Sequence, residues 1–170
     1  GMHGKVVQSP QHTGRAIKIV SSQKFDQQEY EIGVLLGNLG VGPKVYGMHK
    51  CVRVGKSYHL ITMAKLSMTL EQWLRKEHTK KELLAAHRDV MTLIRKLHHL
   101  GYTHSDLKTA NIGLIGKKWV LIDFGWTYAG TRARRSPLRT FFSRVKHKLQ
   151  GRPLPNNGGY EPYFRRQFSI

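Results

Sequence analysis

Residues 104–111, HSDLKTAN, and residues 122–127, IDFGWT, are the two stretches that decide the fold of this 170-residue chain. Asp123 follows Asn111 by twelve positions, at the end of the apolar run Trp119 to Ile122. The segment between the two stretches has the pattern of a β-hairpin around Gly116. Either stretch alone would be a weak signal, but the two together, with a long helix before them, form a specific pattern.

The order and spacing of these stretches resemble the catalytic loop of protein kinases and the Asp-Phe-Gly turn that follows it. Phosphoryl transfer needs a carboxylate that accepts a proton from the attacking hydroxyl, and oxygen ligands that hold Mg²⁺. The resemblance implies that Asp106 is the catalytic base and that Lys108 steadies the γ-phosphate of ATP. It implies that Asn111 and Asp123 are Mg²⁺ ligands, and that His104 is a packed structural residue.

Lys18 ends the segment AIK, which resembles the kinase strand whose lysine pairs with ATP phosphates and with a helix glutamate. Two glutamates compete for that role, Glu29 and Glu31, and residues two apart cannot share a helix face. In kinases the residue four positions after this glutamate is usually apolar. Leu35 satisfies that for Glu31, whereas Gly33 follows Glu29. We therefore expect Glu31 to pair with Lys18.

The resemblance also implies an ATP-binding cleft at the amino-terminal part of the chain. Gly4 and Val6 resemble the last glycine and the valine of the kinase glycine-rich loop, whereas the strand and glycines before them are absent. We expect the backbone near Met63 and Ala64 to hydrogen-bond adenine, with Thr62 as a small gatekeeper. The incomplete loop should weaken nucleotide binding.

Hydrophobic periodicity indicates strands and one helix in the first part of the chain and helices in the middle. We expect an α+β, two-lobed protein-kinase-like fold with a truncated β-sheet in the N-lobe, residues 2–64, and a much reduced helical C-lobe, residues 65–170. The predicted strands cover 4–8, 15–20, 44–54, 57–63, 111–115 and 118–123, and the predicted helices 25–39, 70–77, 79–100 and 136–150.

The resemblance covers residues 4–126 and departs from regulated kinases in two further respects. Ser105 stands where many such kinases have an arginine that pairs with an activation-loop phosphate. Only 45 residues follow Gly125, which leaves little room for a peptide-binding platform. The chain is most similar to compact atypical kinases of the RIO type and to short kinase-like proteins of large DNA viruses.

Charge and composition restrict the class of protein and its partners. The chain has 29 lysines and arginines against 10 acids, a net charge of +19. Residues 132–170 hold ten of these basic residues and one acid, Glu161. A single cysteine, Cys51, excludes an internal disulfide framework. No apolar run is long enough to span a membrane. We expect an intracellular protein, either in the cytoplasm, which includes that of an infected host cell, or in the nucleus.

Three functions are compatible with these features. The first is a minimal serine/threonine-type kinase that transfers the γ-phosphoryl group of ATP with Mg²⁺ to a hydroxyl, with acidic proteins as the favoured substrates. The second is a kinase-like binding module, a pseudokinase or mimic of a host kinase, that acts through partner binding. The third is a nucleic-acid binder that uses the basic tail. The oligomeric state stays open.

Overall fold

The computed structural model describes residue 2 and residues 4–129, and the structural statements below refer to these residues. They form an α+β arrangement with β-sheets and few helices. The strands are β1 (Lys5–Gln8), β2 (Arg15–Ser21), β3 (Val45–Arg53), β4 (Lys56–Ala64), β5 (Met68–Thr69), β6 (Tyr102–His104), β7 (Ile112–Ile115), β8 (Lys118–Leu121) and β9 (Thr127–Ala129). The helices are α1 (Gln27–Asn38), α2 (Leu70–Leu74) and α3 (Lys80–His99).

The largest sheet is antiparallel, with the strand order β1-β2-β4-β3. Its register places Val6 opposite Lys18, and Lys18 opposite Ile61. Directly opposed residues share a face of an antiparallel sheet, and the next residue along each strand points to the other face. Lys18 and Ile61 therefore lie on the same face, together with Ala16 and its partner Met63.

Asp26 caps the amino-terminal end of helix α1. Its side chain accepts a hydrogen bond from the Glu29 backbone N–H at 3.1 Å. This is N-terminal capping, which supplies a partner for an otherwise unpaired helix N–H. The buried residues of the helix include Glu29 and Leu36, seven positions apart and so on the same face. Glu31 lies on the exposed face. The helix is shorter than the predicted range 25–39.

Helices α2 and α3 both begin with the capping box that the sequence predicts, in which the cap and a residue three positions later exchange hydrogen bonds. The caps are Thr69 and Thr79. Helix α3 ends before Gly101, whose φ of +81° suits glycine. Helix α2 ends at Leu74, three residues earlier than predicted.

The main hydrophobic core joins α1 and α3 to the hairpin formed by β7 and β8. Its buried members are Leu36, Val41, Leu70, Val90, Leu93, Ile94, Leu97, Ile112, Leu121 and Phe124. Phe124 belongs to the turn that follows β8. The core therefore holds the segment that carries Asp123 against both helices.

Some predictions fall outside what the structure describes. The predicted helix over 136–150, the basic tail over 132–170 and the end of the predicted C-lobe lie beyond residue 129. Within the described residues, none of the helices combines the length and the apolar character that crossing a membrane requires.

His59 on β4 is buried beside the start of α1. Its ring stacks on Phe25 with centroids 3.9 Å apart, and its Nδ1 lies 3.3 Å from the Ser22 hydroxyl. Burial of the imidazole, followed by the nearby positive charge of Lys50, lowers the pKa of His59 from its ordinary value of 6.5. His59 therefore binds a proton less readily in the folded protein than in the unfolded chain.

We expect the free energy of unfolding to fall as the pH drops below 6.5, because the unfolded chain then binds protons that the folded protein rejects at His59. His59→Phe keeps a stacking ring and removes the titrating group, so its stability should decline less steeply. Urea unfolding at about pH 7.5 and about pH 5.5 measures this difference. Equal declines in both proteins would contradict the assignment.

Candidate functional site

A cleft of about 740 Å³ lies between the four-stranded sheet and the turn that follows β8. On the sheet side it is lined by Val6, Ala16, Lys18, Met63 and Ala64, and on the opposite side by Asn111 and Asp123. The cleft thus brings together side chains that are more than 100 residues apart in the sequence. Residues predicted for nucleotide and for metal binding open on the same space.

Lys18 and Glu29 form an ion pair at one end of this cleft. The Lys18 Nζ lies 3.3 Å from the Glu29 Oε1, and the side chains are 18% and 4% exposed. The second carboxylate oxygen, Oε2, accepts a hydrogen bond from the Met2 backbone N–H at 2.5 Å. Both oxygens of a buried carboxylate therefore have donors, as a buried charge requires.

The prediction that Glu31 pairs with Lys18 is wrong. Glu31 is exposed and accepts a hydrogen bond from the Gln27 side chain at 2.7 Å. The two positions differ by about 200° around a helix, so only one of the two glutamates can face the sheet. Leu35, which favoured Glu31, is 41% exposed. Gly33 instead faces the ring of Phe124. A Cβ at position 33 would lie 3.9 Å from Phe124 Cδ2.

A second cluster surrounds Asp106, in the loop after β6. Asp106 Oδ2 lies 2.7 Å from Lys108 Nζ and 3.0 Å from Asn111 Nδ2. The same Asn111 nitrogen also donates to the Asp106 backbone carbonyl at 2.8 Å. Because the amide nitrogen is directed at Asp106, the amide oxygen of Asn111 is turned away from it. Asn111 also lines the cleft. It therefore connects Asp106 to the cleft.

His104 holds this loop to the strand that precedes Asp123. Its Nδ1 accepts a hydrogen bond from the Asp106 backbone N–H at 3.2 Å, and its Nε2 lies 3.0 Å from the Ile122 carbonyl oxygen. The proton must then be on Nε2, which donates to that carbonyl. Burial of the ring lowers the pKa of His104, which favours this neutral form. The predicted structural role agrees with this geometry.

Asp123 has the backbone conformation φ +64°, ψ 72°. An L-residue in this left-handed region costs roughly 1–2 kcal/mol. The ring of Phe124, the next residue, is 6% exposed and packs so closely on Gly42 that a Cβ there would lie 2.9 Å from Cε2. Close packing of the neighbour therefore maintains a conformation that Asp123 would not adopt by itself.

The structure changes the expected roles of residues on β4. Ile61 and Met63 line the cleft, whereas Thr62 lies opposite Ile17 on the other face of the sheet. Thr62 therefore faces away from the cleft, which does not fit its predicted role as gatekeeper. The alternation of a strand was the sequence signal that could have identified this orientation.

Backbone hydrogen bonds restrict which groups at the end of β4 can contact a ligand. The Ala64 N–H donates to Lys44 O at 2.8 Å, and the Lys65 N–H donates to Gly14 O at 3.0 Å. The Ala64 N–H, one of the backbone groups near Met63 and Ala64 that were expected to hydrogen-bond adenine, thus already has an acceptor. Within the described part of the chain, the next N–H along, that of Leu66, is not engaged by another backbone group. Sequence reasoning missed Leu66, which also lines the cleft.

Gly4 lies where the sequence predicts, at the sheet side of the cleft. Packing against β2 also requires glycine at this position, because a Cβ there would overlap with the Ile19 carbonyl oxygen. Gly4 therefore permits close contact with β2 as well as a position near a ligand.

Comparison with known proteins gives a partial match to a kinase. The chain is 30% identical over 115 residues, 65% of its length, to the probable serine/threonine-protein kinase fnkB of Dictyostelium discoideum. The chain spans only 21% of the length of that protein. No family model matches the chain. The comparison indicates a partial similarity to a serine/threonine kinase.

We expect Glu29→Gln to lower the free energy of unfolding by about 3 kcal/mol, because it breaks a buried ion pair and leaves Lys18 without its charge partner. Glu31→Gln is the matched control. It changes an exposed side chain two positions away and should stay within about 0.5 kcal/mol of the wild type. Urea unfolding measures the free energy of unfolding that each variant loses. Equal losses would contradict the assignment of Glu29 as the partner of Lys18.

Proposed function

We propose that the chain is a minimal, two-lobed kinase-like phosphotransferase of the serine/threonine type, which uses ATP and Mg²⁺. The observation that carries the proposal is the cleft itself. It combines the Lys18–Glu29 ion pair on one side with Asn111 and Asp123 on the other. A cation that pairs with phosphate, facing oxygen ligands for a metal, is the arrangement that phosphoryl transfer requires.

The residues present fit a magnesium ion in chemical type. Carboxylate and amide oxygens are the ligands that Mg²⁺ prefers in proteins. Asp123 offers a carboxylate, and Asn111 offers its amide oxygen, because its nitrogen is held by Asp106. Bound there, Mg²⁺ would supply charge neutralisation for the phosphate oxygens of ATP.

The rest of the cleft suits a nucleotide. Val6, Ala16 and Met63 offer apolar contact for a base, and the Leu66 N–H offers a hydrogen-bond donor at the end of β4. Lys18, held by Glu29, would pair with phosphate oxygens.

Asp106 would accept the proton of the attacking hydroxyl. Among the described residues, both side-chain donors that contact its carboxylate, from Lys108 and Asn111, bind Oδ2. Oδ1 is thus the oxygen available to the substrate hydroxyl, at the usual reach of about 2.6–3.2 Å. The Lys108 ammonium, fixed beside Asp106, would stabilise the negative charge of the transferred group.

The substrate proposed is a protein with acidic segments around the accepting hydroxyl. The chain carries a net charge of +19, which attracts acidic partners and repels basic ones. Transfer to an acidic peptide should therefore exceed transfer to a basic peptide at low salt, and the difference should shrink as salt screens the charges.

We expect Asp106→Asn to reduce phosphoryl transfer at least about 100-fold and to leave Mg·ATP binding in place, because only the proton acceptor changes. Asp123→Asn should instead weaken Mg²⁺-dependent ATP binding, because a metal ligand loses its charge. Asp89→Asn, at an exposed acid on α3, is the matched control and should retain transfer. Label transfer from γ-labelled ATP and calorimetric titration measure the two effects. Full transfer by Asp106→Asn would overturn its role.

The alternative is a kinase-like module that binds a partner without transferring phosphate. The observation that favours it is the net charge of +19, which attracts an acidic partner whether or not phosphate is transferred.

Thermal unfolding with and without Mg·ATP separates these functions. A ligand at 100 times its Kd stabilises the folded state by about 2.7 kcal/mol, so an ATP-binding chain should unfold at a clearly higher temperature. Mg²⁺ alone and ATP with a chelator are the controls. No shift with millimolar Mg·ATP would contradict the kinase proposal and favour the binding module.

A further inference from the structure

We propose that Met2 is a positioning residue for the nucleotide site, acting through its backbone N–H on Glu29. The proposal rests on the proposed function, since it concerns the alignment of Lys18 toward phosphate. It adds a component that neither the motifs nor the partial similarity to a kinase assigns.

The first argument is the hydrogen bonding of Glu29. Its Oε1 is used by Lys18 at 3.3 Å, and its Oε2 by the Met2 N–H at 2.5 Å. The carboxylate is only 4% exposed, so water cannot readily replace a lost donor. A buried carboxylate oxygen without a donor is costly. Without the Met2 N–H, rotation of the Glu29 side chain would lower this cost. The contact of Glu29 with Lys18 would then change.

The second argument is that packing fixes the position of Met2. Its side chain is 5% exposed and joins a core cluster with Val20 and Ile61. Two residues later, Gly4 approaches β2 so closely that a Cβ there would lie 3.0 Å from Val20 Cγ2 and would overlap with the Ile19 carbonyl oxygen. The amide of Met2 is therefore held at Glu29 by the packing of its own side chain and of Gly4.

The third argument is the place of Met2 in the cleft. Met2 lines the same cleft as Lys18 and Glu29. The backbone N–H thus acts from within the site on the residue that orients Lys18. Since a backbone donor has no side-chain signature, no sequence motif could have revealed it.

Hydrogen exchange tests the contact directly. In the full chain, we expect the Met2 amide to exchange about 100-fold more slowly than an unstructured amide, and Glu29→Ala to remove that protection. Rapid exchange in the wild type, or unchanged protection in Glu29→Ala, would overturn the proposal. This measurement needs no nucleotide, so it decides the contact even if the proposed function fails.

Paired substitutions test the positioning role. Met2→Pro removes the N–H, whereas Met2→Ala shortens the side chain and keeps the N–H. We expect Met2→Pro to bind Mg·ATP about tenfold more weakly than Met2→Ala, with a corresponding increase in the KM for ATP. Met48→Ala truncates another side chain of the same core cluster and serves as a control for lost stability.

Calorimetry with Mg·ATP, at a temperature where all variants are folded, gives the result. Equal affinities of Met2→Pro and Met2→Ala would overturn the positioning role. So would a loss in Met48→Ala as large as that in Met2→Pro, because stability alone would then explain it. A folded wild type that binds no Mg·ATP would overturn the proposed function and, with it, the role of Met2 at a nucleotide site.

Discussion

The orientation of α1 depends on one interaction, the buried ion pair of Lys18 and Glu29. Removing two charges from water is expensive, and the cost is offset only where each charge keeps good partners. Glu29 must therefore face β2 and accept from both Lys18 and Met2. With that face turned toward the sheet, the helical repeat places Leu36 in the core. The pair thus fixes which side of the helix is buried.

Phe124 connects this helix to the other half of the site. Its ring lies beneath Gly33 of α1 and against Gly42, and it belongs to the core that α3 completes. At Gly42 a Cβ would lie only 2.9 Å from the ring, so a side chain there would displace Phe124. Because Asp123 immediately precedes Phe124, the packing of one apolar ring determines where the carboxylate stands in the cleft. Helix α1, which is 12 residues long, thereby couples the Lys18–Glu29 ion pair to the oxygen ligands on the other side of the cleft.

The sequence allowed most long elements to be predicted, since α3 and the strands of the large sheet have clear periodicity. The errors have physical causes. The apolar side chain of Leu35 predicts that Glu31 lies on the buried face, but Leu35 is 41% exposed and Gly33 faces Phe124 instead. The small size of Thr62 favours it as a gatekeeper, but the alternation of β4 places it on the face away from the cleft. Strands β5, β6 and β9 are two or three residues long, too short for any periodicity to identify them.

The conformation of Asp123 bears on whether the cleft is a working site or only a remnant. Its left-handed backbone costs folding free energy that glycine at the same position would not. Backbone stability alone therefore does not favour aspartate here, whereas a ligand that brings positive charge to the cleft would interact with its carboxylate. On the opposite wall, the Lys18 ammonium is held by Glu29 and faces the same cleft. Opposite charges on two walls of one cleft are the reason for proposing a ligand that carries both signs, such as a metal-bound polyphosphate.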